Sequence, residues 1–203
     1  MDALLQKQRD FFHTGATLPV SARVTYLKKL QAAIRQQQDE LCRVLYLDLG
    51  KSPTEAYMCE IGMCLEEIAY FLKHLPKLAR DKTVKTAMSN FPAKSIIRPE
   101  PRGNVLIISP WNYPFLLSVE PLIDAVAAGN TVVLKPSAYS PHTSQAVRQL
   151  LQTVFPEEYV AVVTGGRQEN QHLLSQPFDY IFFTGSTAVG KEVLRRAAEN
   201  LTP

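Results

Sequence analysis

Four continuous apolar runs in the second half of the chain constrain its fold more than any other feature. They are Val105-Leu-Ile-Ile-Ser109, Thr131-Val-Val-Leu-Lys135, Val160-Ala-Val-Val-Thr164 and Tyr180-Ile-Phe-Phe-Thr184. Each has the length of a strand, and none alternates polar with apolar residues, as a strand buried on both faces requires. Helix-length segments, about 115–128, 141–154, 168–175 and 187–199, follow them in turn. Buried strands alternating with helices predict a parallel sheet in an α/β domain. Right-handed crossovers then bring all four strand C-terminal ends to one edge. Ligands of open α/β sheets bind at that edge.

The residues before this region read differently. From Pro19 to Leu49, Val20, Val24, Leu27, Leu30, Ile34, Leu41, Val44 and Leu45 recur at mostly three-or-four spacing. That periodicity predicts one long amphipathic helix, closed by Gly50 as a C-cap. Ser52-Pro53-Thr54-Glu55 is a capping box with proline at the first helical position. The stripe then runs through Cys59, Met63, Ile68, Phe71, Leu72 and Leu75 until Pro76 breaks it. Residues 81–95 are polar and irregular, with Pro92 interrupting, and read as a connection. The expected division is therefore a helical part over 1–95, packed on a sheet region over 96–203.

Composition sets outer bounds. Among 203 residues, 46% are hydrophobic and 20% charged, too apolar for a disordered chain. A net charge of +3 gives no footprint for nucleic acid. The densest basic stretch, Lys73, Lys77, Arg80, Lys82 and Lys85, falls at a helix end and beyond, where the helix dipole favours cations. No apolar run approaches the ~20 residues that span a bilayer, and the N-terminus lacks the pattern of a secretory signal. The three cysteines, Cys42, Cys59 and Cys64, are odd in number and lack zinc-type spacing, so no metal site is expected. Free thiols and a cytoplasmic location are the expectation.

The turns that follow the strands carry the functional argument. They read Ser109-Pro110-Trp111-Asn112-Tyr113-Pro114, then Lys135-Pro136-Ser137-Ala138, then Thr164-Gly165-Gly166, then Gly185-Ser186-Thr187-Ala188-Val189-Gly190-Lys191. Two of the four carry glycines and the last opens a helix, whose bare amides suit a phosphate. A lysine and several hydroxyls share the edge, so the edge reads as a nucleotide site. The Gly185–Glu192 segment nearly matches a P-loop but places Glu192 where a magnesium-binding hydroxyl belongs. Trp111 between two prolines is by itself a rigid turn, and Lys135 by itself is equally a solvated strand end. Asn112 differs, since a side-chain amide held in a rigid turn can donate to a developing oxyanion. His142 and His172 fall in helical segments away from the turns and read as surface residues.

Taken together, three runs resemble the aldehyde dehydrogenases. These are Gly103 to Phe115 (Gly-Asn-Val-Leu-Ile-Ile-Ser-Pro-Trp-Asn-Tyr-Pro-Phe), Ala128 to Ser137 and Phe178 to Lys191. Asp48-Leu-Gly-Lys-Ser52 and Glu60-Ile-Gly62 extend the resemblance into the helical part, and the branch with the fatty and aromatic aldehyde dehydrogenases is the most similar. The resemblance implies a helical N-terminal segment followed by a Rossmann-like parallel sheet with flanking helices, binding NAD or NADP. It implies Asn112 as the oxyanion-hole amide and Lys135 at the adenosine ribose. Gly185 and Ser186 would hold the pyrophosphate, Val189 would pack near the adenine, and Gly166 would let the adenine end approach the backbone. Ser109, Pro110, Trp111, Ser137, Ala138 and Gly190 complete the implied cofactor set.

Two departures matter. The family commonly has Glu after Lys-Pro-Ser, where it binds a ribose hydroxyl and repels a 2′-phosphate; here the residue is Ala138, so NADP is not expected to be excluded. The family's general-base glutamate and nucleophilic cysteine would follow Pro203, so the chain is expected to be truncated before the catalytic domain and inactive alone. Its aldehyde is a partner of the complete enzyme only. The stretch Ser95–Gly103 resembles the family's oligomerisation arm, and self-association into a homo-oligomer is expected. Two other readings stay open: a nucleotide-binding or oligomerisation module that regulates a full-length relative, and a reductase of activated carboxylates.

Overall fold

Strand-and-helix alternation gives the computed structural model its frame, which describes residues 2–203. The helical part comprises α1 (Asp2–His13), α2 (Val20–Gln36), α3 (Gln38–Leu49) and α4 (Pro53–Ala56), then a π-helical turn (Tyr57–Ile61) and α5 (Gly62–Leu78). Two short strands follow, β1 (Lys82–Val84) and β2 (Ser95–Ile97). The remainder is β3 (Asn104–Ile108), α6 (Leu116–Ala128), β4 (Thr131–Lys135), α7 (Pro141–Val154), β5 (Val160–Val162), α8 (Arg167–Leu174), β6 (Tyr180–Phe183) and α9 (Thr187–Glu199).

The four strands of the second half form one parallel sheet in the order β5-β4-β3-β6. The chain steps outward twice from β3, then returns across it to lay β6 on the other side. Strand order therefore reverses beside β3, which is where an open α/β sheet leaves a crevice for ligand. This is the parallel α/β sheet expected from the apolar runs, in the Rossmann-like arrangement that the resemblance implies.

Period-two alternation divides the core between the sheet's faces. Val105, Ile107, Val132, Leu134 and Val160 point into a cluster shared with α2, α3, α5, α6 and α7. Leu106, Ile108 and Val133 point the other way, against Leu5 of α1, Leu173 and Leu174 of α8 and Val193 of α9. Arg23 ties the helical part to the sheet. It is buried, and donates to the carbonyls of Thr17 (2.8 Å), Leu18 (2.6 Å) and Ala127 (3.1 Å) near the end of α6. Asp48 does similar work at α7, accepting from the amides of His142 (3.2 Å) and Thr143 (2.7 Å).

Four features depart from the sequence reading. The single helix expected over Pro19–Leu49 is two, broken at Gln37, whose backbone (φ −102°, ψ 14°) leaves helical geometry. Pro76 does not end its helix; α5 continues to Leu78. Residues 2–13, to which the sequence reading assigns no particular helix, form α1, whose buried residues are Leu5 and Gln8; Gln8 donates to Val132 O (2.9 Å) and Glu157 O (3.2 Å). The connection over 81–95 includes β1, which pairs antiparallel with β2 through Lys82–Ile97, Thr83–Ile96 and Val84–Ser95. That small sheet and the loop between its strands carry exposed Met88, Phe91 and Ile97.

Candidate cofactor cleft

The four turns at the C-terminal edge converge on one open cleft of about 760 Å³, within the range of small-molecule sites. Ser109, Pro110 and Trp111 form one wall after β3, and Lys135, Ser137 and Ala138 line it after β4. Gly166, at the start of α8, and Gly185, Ser186 and Val189, where β6 passes into α9, close the other sides. Asn112 and Gly190 do not line it. Asn112 is exposed in the turn next to Trp111, and a Cβ on Gly190 would merely touch Phe183 at 3.4 Å.

Each position has a local cause. Lys135 ends β4 with its backbone paired to Ile108 and its side chain drawn inward, leaving it 2% exposed. Its Nζ donates to Pro136 O at 2.8 Å. Burial pulls this ammonium below the usual lysine value of 10.5, while the Glu169 carboxylate works against that pull. Lys135 is thus a cleft cation rather than a solvated strand end. Ser186 caps α9, its Oγ accepting from Val189 N at 3.4 Å. The amides of Thr187 and Ala188, in the first turn of that helix, have no intrahelical carbonyl to meet. Gly185 is constrained by packing, since a Cβ there would lie 2.6 Å from Phe183 Cζ.

Some hydroxyls and amides at the edge are already engaged. Ser109 Oγ shares a 2.6 Å hydrogen bond with Ser118 Oγ and is turned into the protein. Gly166 N donates to Glu169 Oε2 at 2.6 Å. Backbone amides, that of Gly166 among them, hold the Glu169 carboxyl below the usual range, with the Lys135 charge adding to the effect. Sequence reasoning missed several lining residues: Tyr139, Arg167, Asn170, Glu192 and Arg195. Tyr139 is 84% exposed at the mouth. Arg195 pairs with Glu192 at 3.3 Å. Asn170 is the most informative, because its Oδ1 is buried without a hydrogen-bond partner. Tyr139 comes to the mouth from the turn after β4, while Arg167 and Asn170 on α8 and Glu192 and Arg195 on α9 reach the cleft from the helices themselves.

The donor set fits a dinucleotide. It offers a cation at the floor, free amides at a helix N-terminus for phosphate oxygens, an orphaned acceptor for a hydroxyl, and apolar walls. Among the described residues, no group of three or more His, Cys, Asp or Glu is gathered to hold a metal ion, and no helix is long and apolar enough to cross a membrane.

The aldehyde dehydrogenase family model matches residues 1–203. This chain belongs to the aldehyde dehydrogenase family. It is 46% identical over 206 residues to the 4,4'-diaponeurosporen-aldehyde dehydrogenase of Staphylococcus aureus, covering 100% of this chain and 45% of that protein. The substrate-bound AldH of Staphylococcus aureus superposes with a TM-score of 0.97 at 44% identity, over 100% of this chain and 44% of that one. A Mycobacterium tuberculosis aldehyde dehydrogenase complexed with NAD+ superposes with a TM-score of 0.88 at 33% identity, over 100% of this chain and 42% of that one. The aldehyde dehydrogenase chain described here thus spans less than half the length of these relatives, and corresponds to their N-terminal part.

Proposed function

We propose that this chain is the NAD(P)-binding portion of an enzyme that oxidises an aldehyde to a carboxylic acid. The observation that carries the reading is the cleft itself, with Lys135 at its floor and the N-terminus of α9 on its wall. In this reading residues 96–203 hold the dinucleotide and residues 1–95 buttress them. Lys135 binds the adenosine ribose, Gly185 and Ser186 present the α9 amides to the pyrophosphate, and Val189 meets the adenine. Bound there, the dinucleotide supplies a hydride acceptor. Asn112 donates its side-chain amide to the oxygen of the reacting carbonyl as negative charge develops on it.

A thiolate nucleophile is not supplied by these residues. Cys42 and Cys64 are buried in α3 and α5, Cys59 lies in the π turn, and none lines the cleft. Burial raises the Cys42 thiol, and raises that of Cys64 well above the usual value. The chain by itself is therefore proposed to bind cofactor without oxidising aldehyde. Three free thiols fit a reducing, cytoplasmic setting.

The test is a titration. Trp111, the only tryptophan, lines the cleft and is 52% exposed. Its fluorescence is expected to be quenched saturably by NAD and by NADP, with no NAD(P)H formed when an aldehyde is added. Ala138 lines the same cleft without charge, so Ala138→Glu should weaken NADP at least about tenfold relative to NAD through like-charge repulsion. Absence of any saturable quenching sinks the cofactor reading; equal NADP affinity in the glutamate variant sinks the specificity argument.

Self-association is proposed through the exposed apolar residues of the β1–β2 arm, Met88, Phe91 and Ile97. Light scattering should give a mass above the 22.7 kDa monomer, reverting to monomer when Phe91 and Ile97 are both changed to serine. A monomeric wild type at high concentration refutes it.

A further inference from the structure

Beneath the Trp111–Pro114 turn lies an ion pair that the cleft does not use. Lys51 is 7% exposed and Glu60 is fully buried, with Lys51 Nζ 2.5 Å from Glu60 Oε1. Neither lines the cleft. Taking two charges out of water is costly, and an apolar pair of similar size would serve stability as well. What this pair does instead is hold one turn at both ends.

Lys51 Nζ donates to Asn112 O at 3.1 Å and stands 4.0 Å from the centre of the Tyr113 ring. Glu60 Oε2 accepts from Phe115 N at 2.8 Å and Leu116 N at 3.1 Å. These two amides open α6, whose N-cap residue, Phe115, offers no side-chain hydrogen bond. A carboxylate from another helix thus takes the place of a cap and also suits the helix dipole. Two buried side chains consequently fix the backbone at residues 112, 115 and 116, and cover the ring of residue 113. Among the described residues, the Asn112 side chain has no hydrogen-bond partner; only its carbonyl is held.

We infer that Lys51 and Glu60 are positioning residues for Asn112, fixing the turn's backbone so that the free side-chain amide keeps one direction. The catalytic meaning rests on the reading of Asn112 as the oxyanion donor; the clamp on the turn does not. The pair acts through Asn112 and touches neither cofactor nor substrate. A donor aimed before the charge develops needs no reorganisation when it does, and that geometry depends on supporting groups with locked conformations.

The test uses the whole chain, in wild type, in Lys51→Arg, and in the double variant Lys51→Met/Glu60→Gln, which leaves no charge buried alone. Amide hydrogen exchange is read by NMR at Phe115 and Leu116 and, as internal reference, at Leu106 and Val133 in the sheet. The Asn112 side-chain amide signals and Trp111 emission report on the turn. In the double variant, Phe115 and Leu116 are expected to exchange about tenfold faster, as exchanging a charged acceptor for the neutral amide oxygen of Glu60→Gln implies. The Asn112 and Trp111 signals should shift while the sheet amides keep wild-type rates. Lys51→Arg, which retains the cation, should restore wild-type behaviour at the turn.

Unchanged exchange and spectra at the turn in the double variant would overturn the inference. So would acceleration of turn and sheet amides by one common factor, which marks a role in stability alone, or loosening by Lys51→Arg to the extent seen in the double variant. Cofactor titration of the wild type is read separately. Failure to bind there counts against the cofactor reading, whereas the exchange data bear on the clamp.

Discussion

Changing Lys135 to methionine is expected to weaken NAD and NADP about tenfold to a hundredfold, the range for a lost hydrogen bond from a charged donor. The melting temperature should hold or rise. Lys135 is almost fully buried and its ammonium is bonded to one carbonyl, Pro136 O. Methionine fills similar volume without the cost of burying a charge. Stability and binding therefore move apart, as they do when a charge is retained for ligand rather than for fold. Titration calorimetry and thermal melts on the two proteins check both halves. An unchanged affinity would remove Lys135 from the site.

The same residue gives a pH signature. Because burial holds its proton less tightly than the usual 10.5, the cation is lost at a pH below that value. Wild-type affinity should decline as pH rises into that region, and the methionine variant should lack that step.

The second large effect concerns the fold. Ile107→Ala is expected to cost about 2–5 kcal/mol, the range for deleting a buried aliphatic side chain. Ile107 is fully buried on β3, with strands on both sides through its pairs with Leu134 and Phe182. It points into the cluster shared with the N-terminal helices, so both parts lose contacts at once. Domains are typically stable by only about 5–15 kcal/mol, so the loss should be plain in the urea midpoint. A change under ~1 kcal/mol would mean that the helices collapse into the vacated space.

Strands were the legible part of this chain. Buried parallel strands must be apolar without interruption, and β3 and β4 fall within about a residue of their runs; β6 does too, although as an edge strand it is only partly buried, with Phe182 exposed, and β5 is shorter than its run by two. Helix ends were less legible where no glycine or proline marks them. Gln36, Gln37 and Gln38 carry no breaking signal, yet the chain bends there, with α2 packed chiefly on α5 and also on α7 and α6, and α3 packed chiefly on α7. Pro76 misled in the opposite sense, since a helix can carry proline near its last turn when only one hydrogen bond is forgone.

At the cleft, the residues directly after each strand were legible because topology delivers them to one edge. Asn170, Glu192 and Arg195 were not, as they arrive by helical phase about a turn or more into α8 and α9, and Arg167 opens α8 just past the turn that the strand delivers. Lys51 and Glu60 were visible as motif residues, but nothing in their spacing joins them. Their meeting depends on a glycine-capped helix end at Gly50 and on a π turn, neither of which hydrophobic periodicity reports.

That π turn holds one residue more than an α turn would. Along a helix each residue advances the side-chain direction by about 100°, so the turn acts as a phase shifter between α4 and α5. Gly62 permits it, since a Cβ there would lie 2.9 Å from Tyr57 O. Upstream of the shift, Ser52 starts the helix in one phase; downstream, Cys64, Leu65 and Ile68 face the core in another. Glu60 sits inside the shift, where a carboxylate can face α6 without displacing an apolar residue from either stripe. A one-residue insertion or loss here is thus a change of angle rather than of length, swinging a charged group into or out of the core while both ends of the helix stay in place.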